Sequence, residues 1–226
     1  MADSHSENTI LSVQNLVKSY RLGSGDSLTV LDHVSYELPR KKLIMIMGRS
    51  GSGKTTLMNL LSTLDEATEG EIVLHADAEY RYSKMSASEK EKLRRFRIGF
   101  VFQSVALIPV MTAWENIDFG MRTAGIKTGR EQRVREVLES VGLLDRAKHY
   151  PAELSGGERQ RIAIARSMAH RPEIVFADEP TGALDTAYGI YIAELFKKLT
   201  RDEGLTVIMT THDLRLSELA DLVIRL

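Results

Sequence analysis

The stretch LIMIMGRSGSGKTTLMNLLSTL, residues 43–64, decides the fold of this chain. Its first residues, 43–47, form an apolar run short enough for a buried parallel strand, and the run stops at the glycine-rich turn GRSGSGKT. Leucines then recur with the i, i+3, i+4 and i+7 spacing of one helix face. They are Leu57, Leu60, Leu61 and Leu64. The order strand, loop, helix predicts a phosphate-binding unit on a parallel sheet.

The turn matches the pattern G-x-x-x-x-G-K-[ST] at every fixed position. Nucleotide phosphates hold several negative charges, and a concave turn of backbone N–H groups at a helix N-terminus binds them without favouring one oxygen. Lys54 is expected to reach the β- and γ-phosphates, and the Thr55 hydroxyl to ligate Mg²⁺. The full pattern between a strand and a helix disfavours a turn that binds nothing. The predicted nucleotide-binding residues here are Gly48, Arg49, Ser50, Gly51, Ser52, Gly53, Lys54, Thr55 and Thr56.

Length, net charge, cysteine content and the apolar runs exclude several classes of protein. The 226 residues suffice for a single domain with a subdomain. With 30 basic and 31 acidic residues the net charge is −1, so no overall field favours nucleic acid, and no nucleic-acid partner is expected. The absence of cysteine excludes disulfides and thiolate metal sites. The polar start MADSHSEN differs from a secretory signal, and the apolar runs fall far below the ~18 residues of a membrane span, which predicts a cytoplasmic protein.

The rest of the chain predicts further strands and an inserted helical region. Residues 10–39 alternate as a β-hairpin with its connection at 23–26. Compact apolar runs predict strands at 70–74, 98–102 and 205–210. Residues 104–169 follow a helical pattern, which predicts a helical subdomain inserted at about these positions.

Two pairs of residues in this part of the chain have the spacing of a capping box. Ser86 and Glu89 precede one predicted helix, and Thr128 and Glu131 precede another, which Gly142 ends. The second helix is expected to bury one apolar face. That face comprises Val134, Val137, Leu138 and Val141.

Two adjacent carboxylates follow an apolar strand. The run at 174–177 ends in Asp178 and Glu179, and ligand sites of open parallel sheets gather at the carboxyl ends of their strands. Asp178 is expected to hold Mg²⁺ through water. Glu179 is expected to orient the water that attacks the γ-phosphate, or to accept its proton. Surface charge is the alternative interpretation, and the strand and the phosphate loop disfavour it.

Three more polar or aromatic side chains stand at predicted strand ends. Gln103 is either a loop residue or an amide ligand for a metal and its water. For His212 we favour a γ-phosphate contact over the structural role usual for a lone histidine. Tyr20 is equally compatible with stacking on adenine and with a half-buried position in a strand.

The segment LSGGE, residues 154–158, predicts a second helix N-terminus open to anions. Ser155 is suited to cap the helix and Glu158 to complete the cap. A cap alone does not explain Gly156 and Gly157, since each glycine weakens a helix by roughly 1 kcal/mol. The glycines expose backbone N–H groups instead.

Together these motifs resemble the ATPase subunit of ABC transporters. The Walker A loop, Gln103, LSGGE, the segment ADEPTGALD at 177–185 and His212 occur in that family's order, and the resemblance extends from about residue 10 to residue 226. IGFVFQ, the WEN at 114–116 and ADEPTGALD are most similar to the lipoprotein-release, macrolide-export and antimicrobial-peptide transporters. Glu158 departs from the family pattern, in which glutamine is commoner, and leaves the serine and glycines intact.

The resemblance implies an α/β fold. It comprises a P-loop NTPase core with a mainly parallel sheet, an N-terminal antiparallel β-subdomain and an inserted α-helical subdomain. It also implies ATP hydrolysis with Mg²⁺, with Glu179, His212 and Gln103 as catalytic residues and Thr55, Gln103 and Asp178 at the metal. Tyr20 is then the adenine-stacking residue, Asp185 the D-loop aspartate and His212 the switch histidine.

The resemblance further implies two partners. One is a second copy of the chain in an ATP-dependent head-to-tail dimer, where the turn at Ser155 faces the partner's nucleotide. The other is a separate membrane permease on the inner face of the cell membrane. The apolar stretch 103–114, QSVALIPVMTAW, is the expected docking cleft, and the alternative is that its side chains fill the helical core.

Two other classes of function remain as alternatives. A regulatory ATPase of the cell-division type would drive a membrane partner mechanically and move no substrate. A soluble ATPase of translation or DNA repair would be favoured by paired cassettes, a coiled coil or a zinc insertion, none of which the sequence contains.

Overall fold

The computed structural model describes residues 8–23, 25–181 and 186–226, in which strands form two sheets and six α-helices surround them. The strands are β1 (Thr9–Arg21), β2 (Ser27–Pro39), β3 (Leu43–Met47), β4 (Glu69–His75), β5 (Glu79–Arg81), β6 (Ile98–Val101), β7 (Ile174–Ala177), β8 (Thr206–Thr211) and β9 (Leu222–Arg225). The helices are α1 (Lys54–Leu61), α2 (Ala87–Arg97), α3 (Ala113–Thr123), α4 (Arg130–Ser140), α5 (Gly156–Met168) and α6 (Thr186–Asp202). Asp185, the expected D-loop aspartate, lies outside the described residues.

The parallel sheet has the strand order β6-β7-β8-β3-β9, and every paired neighbour runs in the same direction. The predicted strand at 43–47 is confirmed as β3, and all of its side chains are buried. Successive side chains of a strand point to opposite faces, so Met45 contributes to one core cluster while Ile44 and Ile46 contribute to the other. Burial on both faces explains why β3 is an unbroken apolar run.

The second sheet is antiparallel, with the order β2-β1-β4-β5. The predicted hairpin is confirmed, because β1 pairs with β2 and Leu22 N–H donates to Asp26 O across the connection. Regular alternation fails within β1, since the register of the β1–β2 pair shifts between Val13 and Leu16 and Asn15 has a φ of 47°. Such bulges bend the strand and increase its twist.

Two core clusters lie on the two faces of the parallel sheet. One contains side chains of α3, α4, α5 and α6, and the other contains side chains of α1, α2 and the antiparallel sheet. Helices α3 to α5 lie between β6 and β7 in the chain, where the helical pattern predicted them. The α/β fold class with its parallel and antiparallel sheets is therefore confirmed. Among the described residues, no helix is long and apolar enough to cross a membrane.

The predicted apolar stripe of α1 is wrong at its last position. Leu57, Leu60 and Leu61 are buried, but α1 ends at Leu61 and Leu64 is 51% exposed. Thr63 has a φ of 61°, the left-handed conformation that breaks a helix, so the chain has left the helix before residue 64. The i+7 spacing in the sequence does not register this early end.

One of the two predicted capping boxes is present in the structure and the other is not. Ser86 and Glu89 form both reciprocal bonds at the start of α2, as predicted. The box at Thr128 and Glu131 is wrong, because α4 begins after Gly129, which has a φ of 69° and makes no side-chain cap. A glycine in the left-handed conformation starts the helix one residue later than the threonine would. The apolar face of α4 is buried as expected.

Candidate active site

The predicted chemical groups follow the carboxyl ends of the parallel strands. The glycine-rich turn follows β3, Gln103 follows β6, Asp178 and Glu179 follow β7, and His212 follows β8. The strand register places these ends near one another, since Met47 at the end of β3 pairs with Thr211 of β8, and Ala177 at the end of β7 pairs with Met209 of β8. One edge of the sheet therefore gathers side chains that are far apart in sequence.

Lys54 lies inside the glycine-rich turn. It is the first residue of α1, its side chain is 6% exposed, and its ammonium donates to the carbonyl oxygens of Gly48 and Arg49 at 3.1 Å each. The same nitrogen lies 3.7 Å from Oε1 of Glu179. A buried cation so placed attracts the charge of a phosphate bound in the turn.

The turn has the features of an anion cradle. Gly53 precedes α1 with a φ of 98°, and no side chain caps the helix, so its first N–H groups point into the turn. The Ser52 hydroxyl is buried and has no hydrogen-bond partner among the described residues. A Cβ at Gly48 would lie 2.4 Å from that hydroxyl oxygen, so only glycine fits there. Unpaired donors around a narrow turn suit a phosphate.

A threonine that the sequence analysis missed bonds to both acidic residues, to the side chain of one and to the backbone of the other. The Thr210 hydroxyl donates to Oδ1 of Asp178 at 2.7 Å and accepts from the backbone N–H of Glu179 at 2.8 Å. Thr210 is fully buried in β8, and Asp178 N–H donates to Val101 O at 2.9 Å. Glu179 itself has a φ of 40°, an uncommon conformation for a residue with a side chain. The only signal in sequence was a polar residue inside an apolar strand.

Glu179 lies between a cation and an imidazole. Nδ1 of His212 is 3.6 Å from the same Oε1 that faces Lys54, and the His212 side chain is 63% exposed. A carboxylate with an ammonium on one side and an open imidazole on the other can orient a water molecule beside a bound phosphate. The structure thus brings Lys54, Asp178, Glu179 and His212 together.

Oxygen atoms dominate the donor set at this edge. Asp178 and Glu179 supply carboxylates, Thr55 is an exposed hydroxyl in the first turn of α1, and Gln103 is an exposed amide after β6. In the described residues, no group of three or more His, Cys, Asp or Glu side chains could hold a metal ion. A donor set of this kind, with few carboxylates and some hydroxyl and amide oxygens, does not form an all-protein cage. It suits Mg²⁺, an ion that usually keeps water and phosphate oxygens among its ligands.

The LSGGE segment forms a capped helix start. Ser155 is the N-cap of α5, its Oγ accepts from Glu158 N–H at 3.2 Å, and Oε2 of Glu158 accepts from Ser155 N–H at 2.8 Å. Arg146 donates to Oε1 of Glu158 at 3.0 Å. The two bonds from Ser155 and the Arg146 guanidinium lower the pKa of the Glu158 carboxyl to about 2. The departure from glutamine therefore adds a charged cap.

Tyr20 and the segment 154–158 lie outside this cluster of contacts. Tyr20, at the end of β1, is partly exposed, its hydroxyl donates to Oδ2 of Asp65 at 2.8 Å, and the Lys18 ammonium lies 4.7 Å from its ring centroid. The segment 154–158 has no hydrogen bond or ion pair to the turn at 48–55 within the described part of the chain.

The sequence profile of the family described as ABC transporter matches residues 31–182 of this chain. The chain belongs to the ABC transporter family. It is an ATP-binding subunit with an ATPase cassette fold.

Relatives of this ABC ATPase support that assignment. It is 41% identical to an uncharacterised ABC transporter ATP-binding protein of Methanocaldococcus jannaschii, over 96% of this chain and 95% of the relative. It is 42% identical to a macrolide export ATP-binding/permease protein of Rhodopirellula baltica, over 96% of this chain and 32% of the relative.

Solved cassettes have the same fold. The dimeric structure of a bacterial ABC transporter cassette is 38% identical and matches with a TM-score of 0.81, covering 96% of this chain and 94% of that one. A second dimeric structure of the same cassette, in a post-hydrolysis state with ADP and Pi, matches to the same extent. ATP binding and hydrolysis are thus the activities of this ABC ATPase family.

Proposed function

We propose that this cassette powers a separate membrane permease by hydrolysing ATP, with Glu179 as the residue that activates water. The observation behind the proposal is the convergence on Oε1 of Glu179, which lies 3.7 Å from Lys54 Nζ and 3.6 Å from His212 Nδ1. Lys54 holds the β- and γ-phosphates, so a carboxylate beside its ammonium faces the γ-phosphate. Glu179 orients water for in-line attack, and His212 contacts charge that develops on the γ-phosphate.

The turn at residues 48–56 binds the phosphates through its backbone N–H groups. Lys54 exchanges its two carbonyl acceptors for phosphate oxygens, and the buried Ser52 hydroxyl gains the partner it lacks among the described residues. Tyr20 stacks on adenine at the end of β1, with its hydroxyl anchored on Asp65. The exposed fraction of the Tyr20 side chain leaves surface for that contact.

Thr55, Gln103 and Asp178 would hold Mg²⁺, which would supply neutralisation of charge on the β- and γ-phosphates. Thr210 fixes the Asp178 carboxylate by its hydroxyl, so this ligand is preorganised before nucleotide binds. The exposed position of Gln103 at the start of a loop lets it respond to the ligands on Mg²⁺.

A head-to-tail dimer completes each site. Ser155, Gly156, Gly157 and Glu158 present a helix N-terminus to the nucleotide of the partner, together with Asp185. Within the described ranges this segment has no bond to the chain's own turn, which supports the arrangement, because an anion site that is unused within one chain is available to a second copy. The dimeric structures of the related cassette agree with a dimer.

The permease docks beside Gln103. The loop after Gln103 is held from behind, since the buried Asn116 amide donates to the carbonyls of Ile108 and Met111, and Arg166 donates to Ala106 O at 2.6 Å. Val110, by contrast, is 82% exposed at the tip. A rigid loop with an exposed apolar tip suits a short helix of the permease. The relative from Rhodopirellula baltica, whose name joins ATP-binding and permease functions, supports such a partner.

The cassette works on the cytoplasmic face of the membrane, and the permease selects the cargo. Similarity to the macrolide export protein favours an exporter or an extractor of lipoproteins, antibiotics or peptides.

Two substitutions test the proposed chemistry. Glu179→Gln is expected to retain Mg-ATP binding and to lower phosphate release by about 100-fold or more, because it removes the base and keeps the shape. Lys54→Ala is expected to weaken ATP binding itself. Glu194→Gln, which changes an exposed carboxylate of α6, is the matched control and should hydrolyse ATP at the parent rate. Parent-like turnover by pure Glu179→Gln would contradict the assignment of the base.

A further inference from the structure

One aromatic side chain joins α6 to the LSGGE segment. Tyr188 lies in the first turn of α6, and its hydroxyl donates a 2.5 Å hydrogen bond to the carbonyl oxygen of Gly157. The Tyr188 ring is half-buried and packs against the core cluster that contains the α5 helix. Burial raises the pKa of Tyr188, so its hydroxyl stays protonated and remains a donor at neutral pH.

The ring accounts for the second glycine of the segment. A Cβ at Gly157 would lie 2.6 Å from both Cζ and the hydroxyl oxygen of Tyr188, closer than real side chains approach. The φ of Gly157 lies outside the left-handed region, so its backbone conformation does not require glycine. The position of the Tyr188 ring leaves no room for a Cβ unless that ring shifts and its hydrogen bond to Gly157 changes.

One peptide unit is held at both ends. The peptide between Gly157 and Glu158 presents its carbonyl to the Tyr188 hydroxyl and its N–H to Oγ of Ser155 at 3.2 Å. The preceding N–H groups, those of Gly156 and Gly157, have no acceptor within the helix, because the first N–H groups of a helix never do. Fixing the next peptide unit fixes the direction in which these two groups point.

We propose that Tyr188 is a positioning residue for the nucleotide site shared between two chains. It holds the turn at 154–158 in the orientation that directs the N–H groups of Gly156 and Gly157 at the partner's phosphate. This role rests on the proposed function, in which that turn binds the partner's nucleotide. Tyr188 does not touch the nucleotide and acts through Gly157.

A neighbouring tyrosine provides a matched control. The Tyr191 ring lies 5.5 Å from that of Tyr188 on the same helix, and the Tyr191 hydroxyl accepts from Arg161 at 3.4 Å. This contact also joins α6 to α5, but one turn beyond the segment 154–158. Tyr191→Phe thus removes a hydroxyl at the same helix interface without touching the peptide of Gly157.

The test compares Tyr188→Phe and Tyr191→Phe, each in the Glu179→Gln chain, by sedimentation velocity with saturating Mg-ATP. Tyr188→Phe keeps the ring and removes the hydrogen bond to the Gly157 carbonyl, for which we expect about tenfold weaker dimerisation. Tyr191→Phe should dimerise as the Glu179→Gln parent does. ATP binding to the monomer, measured with a fluorescent nucleotide, should match the parent in both variants, and so should the melting temperatures.

Three results would overturn the proposal. Equal dimerisation of Tyr188→Phe and Tyr191→Phe would exclude a positioning role. A melting temperature that falls together with dimerisation in Tyr188→Phe would reduce the contact to ordinary packing. A Glu179→Gln parent that stays monomeric with ATP would contradict the shared site itself, and this role of Tyr188 with it, so the two failures are distinguishable.

Discussion

Thr210 shows how much the candidate site depends on a side chain that performs no chemistry. Its hydroxyl is bonded both to the Asp178 carboxylate and to the backbone N–H of Glu179. Thr210→Val keeps the shape and removes the hydrogen bonds to the Asp178 carboxylate oxygen and to the Glu179 N–H group. Because bonds to charged groups contribute about 1.5–3 kcal/mol, we expect kcat to fall by roughly tenfold or more while ATP affinity changes little.

A second buried threonine is the control for that substitution. In the described part of the chain the Thr200 hydroxyl, in α6, bonds only to the Lys197 carbonyl of its own helix. Thr200→Val should therefore hydrolyse ATP at the parent rate in the same steady-state assay. Equal loss of kcat in both variants would show that Thr210 contributes through general packing and does not position the carboxylates.

The charged cap of Glu158 makes the stability of the fold depend on pH. Its pKa is lowered from 4.5 to about 2 in the folded chain, so its cap stabilises the fold fully above the unfolded value. That contribution is lost as pH falls from 4.5 towards 2. We expect the parent to melt at a higher temperature than Glu158→Gln at pH 6, and the difference to close as pH approaches 2. A difference that is constant over this range would contradict the charged cap.

The site candidates that follow the strands were predictable from the sequence, whereas the side chains that hold them in place were not. Lys54, Glu179 and His212 each follow an apolar run, and parallel strands bring their carboxyl ends to one edge whatever the loops between them do. Thr210 and Tyr188 had no such signal. Their roles depend on one hydroxyl reaching a neighbouring strand or helix, which spacing along the chain does not encode.

Among the structural elements, the loop between β6 and α3 allows permease docking to be tested separately from folding. Leu107 and Trp114 pack against the core, so a charge there would destabilise the fold and obscure docking. Val110 is exposed, and Val110→Asp should retain folding and basal ATP hydrolysis. We expect it to lose recovery in the membrane fraction when co-expressed with its permease.

Leu28 is the control for Val110. It is an exposed apolar residue at the start of β2, so Leu28→Asp introduces the same charge on the antiparallel sheet, away from this loop. Leu28→Asp should retain membrane recovery. Unchanged recovery of Val110→Asp would place the docking surface outside this loop.

Helix existence was predicted better than helix ends. The buried face of α4 and the cap of α2 agree with the sequence patterns, whereas the end of α1 and the start of α4 do not. Both errors occur at a residue with positive φ, Thr63 and Gly129. A threonine in that conformation is uncommon, so apolar spacing and capping patterns could not anticipate it.

For the whole molecule, the arrangement of the two helix N-termini is the decisive feature. The turn before α1 lies beside Glu179 and His212. The turn before α5 bonds to Arg146 and Tyr188 and, among the residues that the structure describes, to no residue of the first turn. In the proposed function both turns bind anions, and the candidate catalytic groups lie beside the first one. The proposed two-fold dimer uses both turns at once, because each chain supplies its second turn to the other.

The shared site can be tested by sedimentation velocity of the Glu179→Gln chain, with Ser155→Arg as a second substitution in the same chain. A shared site predicts a dimer with Mg-ATP, a monomer with Mg-ADP, and loss of the ATP dimer in the double variant although its monomer binds ATP normally. A chain that remains monomeric at saturating ATP, or an ATP dimer that Ser155→Arg leaves intact, would contradict it.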